Sequence, residues 1–121
     1  PRKNPTRSFT AWRSERAARY LIIIHDDIDL LLGKIKISLG NSSGGHRGVE
    51  SIIQETGTKE FARIRIGIQP KDGKPNSVED FVIQKFTSEE KPIIEKVIFN
   101  AQFALEAIIQ NGIQKAMNEY N

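Results

Sequence analysis

Residues 22–48 read IIIHDDIDLLLGKIKISLGNSSGGHRG and gather side chains able to carry protons or hold anions. A run of isoleucines ends in His25, Asp26, Asp27 and Asp29, and a glycine-rich loop with His46 and Arg47 follows. In an open α/β sheet, ligands bind outside the carboxyl ends of the strands, so the polar residues after LIII stand where a site is expected. If the strand stays extended through them, neighbouring side chains point to opposite faces; His25 and Asp26 then do not bond each other, and Asp26 needs another partner. The competing reading is that Asp26 and Asp29 cap a turn through their own backbone, which turn statistics favour for any acid after a strand. A metal is not expected. HDDID offers oxygen ligands, but no second histidine stands at a ligand spacing and the run is not a calcium-loop pattern.

The loop GNSSGGHRG precedes a helical pattern, and glycines there let backbone N–H groups approach an anion at the favourable end of the helix dipole. It is neither a P-loop nor a dinucleotide fingerprint. Spacing alone does not separate an anion cradle from a plain strand-to-helix connection.

The elements that must position these residues follow from periodicity. YLIIIH is a short continuous apolar run, which predicts a strand buried on both faces. KIKISL alternates, with Lys34, Lys36 and Ser38 on a wet, cationic face and Ile35, Ile37 and Leu39 opposite. VESIIQETG places Val49, Ile52, Ile53 and Thr56 at helical spacing, with Gly57 to stop the helix. FARIRIGI alternates again and aligns Arg63 and Arg65 against Ile64, Ile66 and Ile68. PKDGKPNS is a loop, and DFVI a short strand. In TSEEKPIIEKVIFNAQFALEAIIQNG, Thr87 stands three residues before Glu90 as in a capping box, and Ile94, Val97, Ile98, Ala101, Leu105 and Ile108 form the inward face. Gly112 ends that helix and IQKAMNEY makes a shorter one. Strands and helices interleave, so the class is α/β.

With 121 residues the chain has room for one core, since domains of this size bury about two thirds of the surface their unfolded chains expose. No apolar run approaches the roughly 20 residues of a membrane span, and a soluble protein is expected. Cysteine is absent, which removes disulfides and thiolate chemistry and fits a cytosolic setting. A net charge of +3 is compatible with a polyanionic partner without requiring one. Residues 1–19 are arginine-rich with a single acid, Glu15, and lack a clean period. They are read as an unassigned basic segment, more in keeping with a fragment than with a targeting signal.

From His25, HDDIDLLLGKIKISLGNSSGGHRGVESIIQETGTKEFARIRIGIQP resembles the bacterial-type peptidyl-tRNA hydrolase family in order and spacing. That family reads H-D-D/E-L/I-D-L-P-x-G, then G-G-H-N-G leading into a helix, then F-x-R-L/I-R-I/V-G-I-G; VEDFVIQKF and GIQKAMNEYN are similar to its closing segments. The resemblance runs from Tyr20 to the end. It implies one α/β domain over 20–121, a mixed β-sheet flanked by helices in a phosphorylase/hydrolase-like three-layer arrangement, here partial. It further implies hydrolysis of the ester between a peptide and the terminal ribose of tRNA, with a histidine as general base on water and a carboxylate orienting it. The carboxylate falls on Asp26. Arg47 takes the place of the asparagine that positions the substrate end, beside Gly45 and His46, and Arg65, with Arg63 and Lys36, falls at the tRNA phosphate contacts. Peptidyl-tRNA is the implied partner, through its acceptor end and phosphate backbone. No cofactor, metal or membrane is implied, and a cytoplasmic or organellar monomer is expected.

Two departures bear on activity. The family's catalytic histidine lies in a T-R-H-N motif after a strand ending in G-L-G-N-P-G, and neither motif occurs in these residues. A guanidinium only donates, so Arg47 cannot supply the acceptor of the family's amide. The expectation is therefore an impaired hydrolase, the alternative being a non-catalytic tRNA- or RNA-binding relative. Loss of the family's first strand would also leave edges and apolar faces exposed, so the isolated chain is expected to be marginally stable.

Overall fold

The computed structural model describes residues 20–75 and 86–121. Strands β1 (Ile22–Leu31), β2 (Ile35–Leu39) and β3 (Ala62–Gln69) form a three-stranded sheet in the order β1-β3-β2. The helices are α1 (Arg47–Thr56), α2 (Glu90–Asn111) and α3 (Ile113–Tyr120). The Ala62 N–H donates to the Leu21 carbonyl and the Leu32 N–H to that of Gln69. β1 and β3 therefore run in the same direction, and the expected mixed sheet of the α/β class is present. The expected DFVI strand lies outside the described residues. Among the described residues no helix is long and apolar enough to cross a membrane.

Internal contacts divide the described chain into two compact units, 20–23 with 38–63, and 24–37 with 64–75 and 86–121. The first is built on Val49 and Phe61, both fully buried, with Leu21, Ile23, Ile52 and Ile53 packed against them. Its helix α1 starts and stops where the sequence signals it. His46 is the N-cap, its Nδ1 accepting from the Val49 N–H, and Gly57 adopts φ +76 so that its N–H reaches the Ile53 carbonyl. Only glycine takes that conformation without a Cβ penalty.

In the second unit, Ile37, Ile64, Ile68, Val97, Ala101, Ala104, Ala107, Ile108 and Ala116 are buried. The inward face of α2 is thus centred on small residues, and Ile98, expected inside, is exposed along with Phe99, Phe103 and Ile109. Helical spacing alone could not choose between the two apolar faces of so apolar a helix. The capping box does form: the Thr87 N–H donates to Glu90 Oε1 at 2.9 Å and the Glu90 N–H to Thr87 Oγ1 at 3.2 Å. Thr87→Ala is expected to cost about 1 kcal/mol, because one orphan donor of the first turn loses its acceptor; thermal unfolding followed by circular dichroism measures it. Asn121 closes the other end, its amide accepting from the Ile37 N–H and donating to the Ile37 carbonyl, as a paired strand would.

Two strand expectations need correction. β1 is an edge of the described sheet, half-buried with Ile24 exposed; the strand buried on both faces is β3, placed centrally. For that reason Arg63, expected to share a polar face with Arg65, is only 4% exposed. On β2 the alternation fails at its end, where Ser38 is buried and Leu39 exposed. Ile37 and Ser38 are both covered there, so period 2 no longer sorts inside from outside.

Candidate active site

The acid stretch lies within β1 itself, which continues extended to Leu31. Side chains alternate as pleating requires, with Ile24 and Asp26 exposed and His25 and Asp27 partly buried. His25 and Asp26 therefore do not meet through their side chains; His25 Nδ1 lies 2.7 Å from the Asp26 carbonyl oxygen. A carbonyl only accepts, so the ring carries its proton on Nδ1. Asp26 presents its carboxylate at an exposed position of the strand.

Asp27 is the side chain that holds this segment in place. Its Oδ2 lies 2.6 Å from Arg65 Nε, and its Oδ1 accepts the Asp29 N–H at 2.8 Å. The Asx bond sought at Asp26 or Asp29 is thus made by Asp27. From the same strand as Arg65, Gln69 donates its amide to the Ile28 carbonyl at 3.0 Å, and Lys74 pairs with Asp29 at 2.7 Å. Burial raises the Asp27 carboxyl, but the Arg65 hydrogen bond, the Asp29 amide and the charges of Arg65 and His25 outweigh it, so Asp27 ionises below the ordinary aspartate range. A lowered native pKa gives stability that is complete above the unfolded value of about 3.9 and is lost as pH falls through the native one. Asp27→Asn is accordingly expected to flatten the acid limb of a melting-temperature profile below about pH 4 while lowering the plateau above it. An acid limb as steep as the parent's would assign the loss to other carboxylates.

The glycine loop sits in the other unit and is described by itself. Gly44 and Gly45 take φ +61 and +88. The Gly45 N–H donates to Ser43 Oγ at 3.2 Å, and that hydroxyl donates to Glu50 Oε1. At least one N–H of the expected anion cradle is thus engaged within the loop. His46 caps α1 through an unprotonated Nδ1, the opposite tautomer to His25. Arg47, exposed, is the first residue of α1; a cation there opposes the helix dipole, which Glu50 in the same turn offsets. Arg63 donates from Nη2 to the Ser42 carbonyl at 2.9 Å and so anchors the loop from β3.

Of the residues singled out from sequence, the structure joins Arg63 to the glycine loop and Arg65 to the acid stretch. Lys36 stands exposed on β2. Asp27 and Gln69 were given no role from sequence. The available signal was register: strands running in the same direction bring FARIRIGIQ alongside IIIHDDIDLL.

This is an α/β protein with an exposed carboxylate on an acidic strand pinned to a cationic central strand, and a glycine loop closed by a histidine-capped helix. Comparison with known proteins gives the assignment. A family model described as peptidyl-tRNA hydrolase matches residues 7–121, beginning ahead of Tyr20. The peptidyl-tRNA hydrolase of Thermodesulfovibrio yellowstonii is 50% identical over 101 residues, covering 84% of this chain and 53% of that protein. That of Geobacillus kaustophilus is 46% identical over 102 residues, covering 84% and 54%. The crystal structure of peptidyl-tRNA hydrolase from Acinetobacter baumannii superposes with a TM-score of 0.76 at 30% identity, over 98% of this chain and 57% of that one. The chain belongs to the peptidyl-tRNA hydrolase family, and it spans about half the length of the curated relatives it matches.

Proposed function

We propose that this chain carries the carboxylate and tRNA-binding portion of a peptidyl-tRNA hydrolase, which cleaves the ester between a peptide and the terminal ribose of tRNA. The observation that carries the reading is Asp26, exposed on a strand whose next residue is locked by Arg65. In this role Asp26 accepts a hydrogen bond from a histidine ring, fixes its tautomer and stabilises the imidazolium formed when the ring takes a proton from water. The water oxygen attacks the ester carbonyl carbon, the bond from that carbon to the ribose oxygen breaks, and the imidazolium proton passes to the departing ribose oxygen, giving a free hydroxyl and a peptide carboxylate. Arg47, with Gly45 and His46, meets the substrate end, on a glycine loop held by Arg63, while Lys36 and Arg65 serve the phosphates.

A second reading, an RNA-binding relative without turnover, is favoured by one observation. Both histidines of these 121 residues are engaged with backbone, His25 at the Asp26 carbonyl and His46 at the Val49 N–H. Incubating the chain with peptidyl-tRNA and with an acceptor-stem hairpin separates the two. Release of free tRNA supports the hydrolase; hairpin binding that weakens with salt, without release, supports the binder; absence of both removes the two readings together.

A further inference from the structure

We propose that Asp27 competes with RNA phosphate for Arg65, so that this cation enters the RNA interface only when a phosphodiester group displaces the carboxylate. The inference rests on the RNA-binding reading above and concerns how that interface is regulated. Arg65 and Asp27 meet at 2.6 Å with side chains only 18% and 11% exposed, so bulk salt screens the pair far less than it screens Lys74 and Asp29, at 52% and 47%. The second Asp27 oxygen is tied to the Asp29 amide. The carboxylate therefore cannot follow the guanidinium outward, and Arg65 must exchange one anion for another. Phosphate suits that exchange, because it offers the same paired oxygens to a guanidinium that a carboxylate does. Water does not, since it would leave two sheltered opposite charges apart. Lys36, exposed on β2, faces no comparable barrier. The consequence is discrimination: a loosely placed RNA backbone gains the attraction of exposed lysines, and only one with a phosphate at the strand gains Arg65.

The test uses the 121-residue chain and an acceptor-stem RNA hairpin, with binding read by fluorescence anisotropy across a salt series. Asp27→Asn keeps the side-chain shape and the oxygen for the Asp29 amide. It is expected to tighten binding about tenfold at low salt and to steepen the dependence of log Kd on log salt by about one. Adding Arg65→Gln should abolish both gains. Asp29→Asn changes net charge equally and should produce neither. Binding that is unchanged or weaker in Asp27→Asn, a gain that survives Arg65→Gln, or an equal gain in Asp29→Asn overturns the exchange. If parent and Asp27→Asn both fail to bind, the RNA-binding reading falls with it; if the parent binds and Asp27→Asn gains nothing, only the exchange falls. Should Asp27→Asn not fold by circular dichroism, the Arg65 Nε–H resonance of the parent decides: it should move on RNA addition, and a stationary signal refutes the proposal.

Discussion

Gly67→Ala is expected to destabilise the chain by at least about 3 kcal/mol, a large part of the roughly 5–15 kcal/mol that holds a domain of this size. A Cβ at Gly67 would run into the Leu31 carbonyl oxygen and stand 2.8 Å from the Leu31 carbonyl carbon and 2.9 Å from that of Leu30. All three are backbone atoms, so no side chain can swing aside. β1 would have to retreat, straining the Leu32 to Gln69 hydrogen bond, while Gly67 itself donates to the Lys34 carbonyl. Ordinary overpacking costs about 1–3 kcal/mol because side chains yield; backbone does not. Gly73→Ala makes the useful comparison. A Cβ there meets nothing within 4 Å, and only its φ of +103 opposes the change, so a loss of about 1–2 kcal/mol is expected. Urea unfolding of both variants measures the difference, and equal midpoints would show that β1 yields at Leu31.

On the hydrolase reading proposed above, Asp26→Asn is expected to lower kcat about a hundredfold wherever peptidyl-tRNA is turned over, while acceptor-stem affinity stays near the parent value. Asparagine keeps the size of the side chain and can still accept a hydrogen bond, but it removes the charge that stabilises an imidazolium in the transition state. The loss should therefore fall on kcat rather than KM. Asp26 is exposed and lies outside the Asp27 ion pair, and circular dichroism of the variant checks that its fold is kept. Equal turnover in both proteins would remove Asp26 from the reaction. A rise in KM alone would make it a binding residue.

The elements whose signals are local were legible in the sequence. Thr87 and Glu90 announced the start of α2 through a bond spanning three residues, and Gly57 and Gly112 announced helix ends, because cap chemistry depends on neighbours in the chain. What sequence reading missed depends on partners far along it. Arg63 alternates with isoleucines as a surface residue would, yet the central place of β3 buries it. Asp27 looked like one acid among three until Arg65, 38 positions later, came beside it. Gly67 carried a readable signal, since a glycine inside a β-branched run suggests close backbone approach, but the identity of the approaching strand was not in the pattern. At the site, Asp26 and Arg47 came from family resemblance; no physical argument from spacing alone would have separated Asp26 from its neighbours.

The strand order has a consequence for how the chain assembles. β1 and β2 follow each other closely in sequence, yet β3 lies between them, so no early hairpin can nucleate the sheet. During synthesis, β1 and β2 must wait for Ala62–Gln69 to emerge before either finds its partner, leaving the apolar side chains of both strands uncovered until then. Pairing across such separations is slow because loop-closure entropy is spent before contacts repay it. The interval before residue 69 is where a nascent chain of this kind would most need a chaperone.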